Sequence, residues 1–231
     1  MALVDLRTQI VADIARTDVD LPAIVTGAIN YAHLKLMRQH NFQCMDTQSA
    51  QFDFPIGAKS IPMPVAVADL KQAKVLYLID QSTQAKPLKK MSEDQWNQEI
   101  LEVEPIDLDD NQDILIPPKN NIFLPYTSWE LRWYMGRGNL YLTPGPLAVD
   151  VTLMLGYYRY LPPYVLDADT DWFMDNAYDV LESGALGRTY QILNEFQLAS
   201  AFRSDFADGM AQLIEEDAYA RIAGENLVKG G

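Results

Sequence analysis

Cysteine is nearly absent: Cys44 is the only one in 231 residues. No intrachain disulfide can form, which fits a reducing compartment and excludes a multi-cysteine zinc site. Histidine is almost as scarce, with only His33 and His40. Long apolar runs are missing as well. None approaches the roughly 20 residues needed to span a bilayer, so no membrane association is expected. The start, MALVDLRTQI, lacks a basic n-region and a continuous apolar stretch, and so does not read as a signal peptide. A soluble chain made in a cytoplasm is expected. Positive charge is the last shortfall. Lys and Arg number 18 against 32 Asp and Glu, a net charge of −14. From Leu161 to Gly231, 13 acids stand against 4 bases. Such a chain will not coat nucleic acid through its phosphates, because that requires a basic surface.

Apolar residues are plentiful, at 48% of the chain, so a core can be buried. Residues 3–16 place Leu3, Leu6, Ile10 and Ile14 at helical spacing. Asp20 then offers an N-cap with Pro22 in the first turn. The helix it opens runs to about His40, with Val25, Ile29, Ala32, Leu36 and Met37 on one stripe and Lys35, Arg38 and Gln39 on another face.

From Cys44 to about Tyr160 the texture is that of β-structure, with short apolar runs punctuated by proline. AKVLYLID (73–80) predicts a strand with Val75, Tyr77 and Ile79 alternating. SEDQWNQEI (92–100) predicts a short helix capped by Ser92. Residues 103–125 read as an acidic loop insertion. WELRWYM (129–135), GRG (136–138) and NLYLTP (139–144) predict a hairpin, because glycine supplies the positive φ of its turn. Residues 148–160 add a strand with Val149, Val151, Leu153, Leu155 and Tyr157 on one face, and the three strands read as a meander.

Helical spacing returns at 172–193, with Phe173, Ala177, Val180/Leu181 and Gly184/Ala185 on one stripe. SGALG (183–187) is unusually small for mid-helix, and close approach by another helix would compensate the glycines. Asn194 is a candidate break. A last helix spans about Glu195–Ala223, with Phe196, Ala199, Phe202, Phe206, Met210, Leu213 and Ile214 inward and Gly224 as C-cap. The predicted fold is α+β. A four-helix core (1–43 with 164–224) carries an inserted β-rich domain (44–163), and residues 225–231 form a flexible tail.

Asp167, Asp169 and Asp171 alternate like metal ligands. An EF-hand loop would need glycine at the sixth position and glutamate at the twelfth, where Trp172 and Tyr178 stand. A less regular calcium site is the alternative to a polar turn that caps the next helix. His33, His40 and Cys44 lack the usual zinc spacing, and a partly exposed pair of helix histidines is the simpler reading. Arg132 and Arg137 with Trp129, Trp133 and Tyr134 would suit base stacking, against which stands simple cross-strand aromatic pairing. No catalytic signature is present, and no cofactor is implied.

Three segments carry a resemblance. They are DLPAIVTGAINYAHLKLMRQHNFQCMD (20–46), RWYMGRGNLYLTPGP (132–146) and VTLMLGYYRYLPPYVLDADTDWFMDNAYDVLESGAL (151–186). The last combines a tyrosine-rich strand, two prolines, a short loop, a tryptophan-containing turn and a small-residue helix. In this order the chain resembles the head-to-tail adaptor (connector, head-completion) proteins of tailed bacteriophages, over roughly residues 3–100 and 126–223. It departs from them in the 103–125 insertion and in Asn176-Ala177-Tyr178, where relatives often carry a proline.

The resemblance implies a structural, non-enzymatic protein of the virion neck, assembled in the host cytoplasm. It implies self-association into a ring, most often a dodecamer, beneath the portal protein. The ring would pass genomic DNA without sequence-specific binding and offer a platform to tail nozzle or tail-tube proteins. By position, Asn226, Leu227, Val228 and Lys229 would reach the portal. Trp129, Trp133, Tyr157 and Tyr158 are candidate interface aromatics, since large surface aromatics often mark interfaces. Two other readings are another tail or baseplate interaction protein and a calcium-binding module built on 167–171.

Overall fold

A computed structural model of the chain describes residues 1–16, 20–58, 60–79, 85–102, 131–136, 138–143 and 150–228. In chain order the elements are α1 (Leu3–Ile14), α2 (Leu21–Gln39), β1 (Asp46–Gln48), β2 (Phe52–Phe54), β3 (Ser60–Pro62), β4 (Leu70–Ile79), β5 (Ala85–Lys90) and α3 (Glu93–Glu102). There follow β6 (Arg132–Gly136), β7 (Asn139–Thr143), β8 (Val151–Arg159), α4 (Trp172–Asn176), α5 (Tyr178–Ile192) and α6 (Phe196–Val228). The fold is mixed α/β and divides into two compact units, Met1–Asp46 with Tyr160–Gly231, and Thr47–Arg159. Among the described residues no helix is long and apolar enough to cross a membrane.

In the helical unit, the stripe Leu3, Leu6, Ile10 and Ile14 is buried, and α1 stops where Ala15 turns left-handed at φ 52°. The stripe expected on α2 is buried as well. Asp20 occupies its N-cap position, but its side chain makes no capping bond. Helix α5 touches α1, α2, α4 and α6. Its buried residues, from Val180 and Leu181 to Thr189 and Tyr190, lie all round it, as expected of a helix with packed neighbours on several sides.

Three expectations for this unit need correction. Residues 172–193 are two helices, because Ala177 leaves helical geometry at φ −145°, ψ 34°. Asn194 does end α5, turning left-handed at φ 63°, but Phe196 is then 64% exposed rather than inward. The last helix runs through Gly224 to Val228, so residues 225–228 are helical rather than a loose tail.

In the other unit the sheet order is β1-β8-β4-β5-β6-β7-β3, with β2 also pairing β8. The hairpin β6–β7 is present, with Tyr134 opposite Tyr141 and Gly138 at φ 78°. The expected meander is not. Strand β8 pairs along nearly all of the ten-residue β4, while β3 takes the outer edge of β7. Strand β5 joins the halves through a short parallel pairing with β6.

Strand β4 is longer than expected and irregular, with register shifts between Leu70 and Gln72 and between Ala73 and Val75. Such a shift changes which face each residue meets. Ala73 and Leu76 are therefore the fully buried residues of β4, rather than the alternating Val75, Tyr77 and Ile79. On β8, Leu153, Leu155 and Tyr157 are buried as expected, while Val149 lies outside the described residues. Helix α3 opens with a reciprocal cap, Gln95 N donating to Ser92 Oγ and Ser92 N to Gln95 Oε1.

Candidate functional site

The glycines of the penultimate helix have a packing reason. A Cβ built on Gly184 would lie 2.6 Å from the Phe206 ring and 2.8 Å from Ala32 Cβ. One on Gly187 would lie 3.3 Å from Arg203 Cγ. These positions let α2, α5 and α6 approach closely. Beside Gly184 a pocket of about 200 Å³ opens, lined by Tyr31, Ala32, Lys35, Gly184, Arg188, Arg203 and Phe206. Arg188 stacks over the Tyr31 ring at 4.9 Å, and Lys35 lies 5.2 Å from the centre of the Phe206 ring. Both guanidinium groups, Arg188 and Arg203, donate to the same acceptor, Gln191 Oε1.

The Asp167–Asp171 turn is spent on the fold. Asp167 pairs with Arg7 at 2.8 Å, and the Asp167 and Asp169 carbonyls accept the first amides of α1 from Val4 and Leu3. Asp169 Oδ2 accepts from the amides of Val165 and Leu166. Asp171 is the N-cap of α4, its Oδ1 accepting from Phe173 N, Met174 N and the Tyr164 hydroxyl. Its Oδ2 lies 3.0 Å from His33 Nε2. Burial would raise the Asp171 carboxyl, but the hydrogen bonds from His33 and Tyr164 outweigh it and hold the group below its ordinary value. Burial and the facing Asp171 charge push the Tyr164 phenol far above its ordinary value.

The two histidines are therefore not a surface pair. His33 is 1% exposed and stacks on Tyr164 at 4.6 Å. His40 meets Asp217 at 2.9 Å, where Arg221 and the Gln43 amide also converge, joining the end of α2 to α6. The pattern hid this role, because the partner carboxylates lie 138 and 177 positions away in sequence. Among the described residues no group of three or more His, Cys, Asp or Glu is placed to hold a metal ion.

The candidate interface aromatics divide. Trp133 is 0% exposed, and its Nε1 donates to the Leu88 carbonyl; Tyr157 is 4% exposed. Both fill the β unit's core with Phe54, Leu76 and Leu153, and so are not surface side chains. Tyr158 is half-buried, with Lys74 over its ring. Trp129 and Arg137 lie outside the described residues. On the hairpin, Tyr134 and Tyr141 instead gather Trp96 at 5.8 and 5.0 Å. Asn226, Leu227 and Val228 form the last turn of α6, and Lys229 lies beyond the described residues.

No curated protein matches the chain. A protein-family model does, that of the SU10 adaptor protein, and it covers residues 1–226. That span includes both units and every element described above. The chain belongs to the SU10 adaptor protein family, a family of phage head-to-tail adaptors.

Proposed function

We propose that this chain is a structural virion protein that forms a ring, most often a dodecamer, beneath the portal, extends the DNA channel and gives the tail its docking platform. The observation that carries the reading is the family match over residues 1–226, which leaves neither unit outside it. The net charge of −14 supports the channel role, because an acidic wall repels DNA phosphates and does not trap a passing genome. The last turn of α6, Asn226–Val228 with Lys229 beyond it, is the portal-contacting end. Its helical form gives it a defined shape to insert. Tail nozzle or tail-tube proteins meet the ring on its other side. The aromatic surface available to partners is Tyr158, together with Trp129.

Mixing the full chain with its cognate portal ring and weighing the product by native mass spectrometry tests the reading. A complex carrying one adaptor copy per portal subunit is expected. Folded chain and folded portal that stay separate at micromolar concentration would sink it.

A further inference from the structure

The pocket beside Gly184 is a cationic site on an acidic protein. Lys35, Arg188 and Arg203 all line it. Their described partners are two aromatic rings and the neutral amide oxygen of Gln191, and among the described residues none of the three meets a carboxylate. Two guanidinium groups on one neutral acceptor repel each other, and an anion placed between them would relieve that repulsion. In a chain with 32 acids against 18 bases, three cations gathered without an acid stand out against the charge of their surroundings.

Helix α6 also carries the complement. Asp205, Asp208 and Glu215 are exposed, and none has a hydrogen-bond or ion-pair partner among the described residues. At 3.6 residues per turn, these three point about 120–160° round the helix from Arg203. One helix thus presents a basic flank and, nearly opposite, an acidic one. Two different flanks cannot join a pair of copies symmetrically. They join copies head to tail, and a head-to-tail contact that closes gives a ring.

We propose that the Lys35–Arg188–Arg203 pocket receives carboxylates of Asp205, Asp208 and Glu215 from a second copy of this chain. The inference rests on the ring reading above and names the contact that would hold neighbours together. Such a contact steers assembly and weakens as salt rises.

The test uses full-length chain with charges reversed in two sets, Arg188→Glu with Arg203→Glu, and Asp205→Lys with Asp208→Lys and Glu215→Lys. Self-association is followed by sedimentation and native mass spectrometry from low to high salt, free and with portal present, and circular dichroism checks each fold. Each set alone is expected to weaken association about tenfold or more. An equimolar mixture of the two sets should recover it, because each pocket then finds a flank of opposite charge. Sets that associate like the unaltered chain overturn the proposal. So does a mixture that fails to recover, or unaltered chain that stays monomeric throughout. Binding of a DNA duplex that is lost in the Arg set, while association is unchanged, reassigns the pocket to phosphate and also overturns it. If portal captures every variant equally, the contact fails while the adaptor reading stands. Salt-sensitive self-association without portal capture leaves the contact standing and removes the adaptor reading.

Discussion

The two units are held together by different means. The β unit relies on one apolar cluster around Trp133, Leu76 and Leu153, with strand ladders satisfying its backbone. The helical unit has a core too, but polar clasps across long sequence separations lock it: Asn30 to Tyr164, His33 to Asp171, and His40 to Asp217. A sheet pairs any backbone with any other, so side-chain shape and register must supply specificity. Helices satisfy their own backbones, so here pairwise side-chain partners specify which surfaces meet.

Trp133→Ala should break that contrast most sharply. It removes the largest fully buried side chain and its bond to Leu88, and is expected to cost about 3–5 kcal/mol. Amide hydrogen exchange should show lost protection in β4–β8 with α5 still protected. Equal loss in α5 would mean that the units are one cooperative body.

Asp171→Ala comes next. It deletes the α4 cap and strands His33 and the Tyr164 hydroxyl, for about 2–4 kcal/mol by urea denaturation. Its pH dependence has a fixed sign. The folded carboxyl titrates below its unfolded value, so the native state binds fewer protons. The stabilisation is complete above about pH 4 and is lost as pH falls through the lowered folded value. The gap in Tm between Asp171→Asn and the unaltered chain should accordingly close below about pH 4. A constant gap at every pH would assign the effect to shape rather than charge.

Gly184→Ala should have the smallest effect. Overpacking against Phe206 and Ala32 costs about 1–3 kcal/mol, and the gain in helix propensity returns about 1 kcal/mol. A net loss of about 1 kcal/mol is expected from thermal melts. A raised Tm would show that the Phe206 ring gives way freely.

How much of this was legible in the sequence follows the same division. Leu3, Leu6, Ile10 and Ile14, the α2 stripe, the Ser92 cap and the GRG hairpin were readable because each signal lies within one turn of helix or one hairpin. The family was readable too, from local segments in order. The partners of β8 were not, since nothing near residue 151 says that it pairs β4 rather than β7. The β4 register shifts were hidden for the same reason. The break at Ala177 was disguised by apolar spacing that continues through it. At the cationic pocket, Lys35 was visible only as part of a polar helix face. Arg188 and Arg203 join it only when α2, α5 and α6 meet over Gly184.

The helical unit is made of two stretches separated by the whole of Thr47–Arg159, and this sets a timetable on the ribosome. Helices α1 and α2 emerge first, with Val25, Ile29, Leu36 and Met37 already in place. The helix that covers that stripe, α5, ends about 150 residues later, which at ~5–20 residues per second is roughly ten to thirty seconds. Throughout that interval an apolar helix pair waits for partners not yet synthesised. The nascent chain therefore has to be shielded, by its own transient collapse or by host chaperones, before the first complete subunit exists.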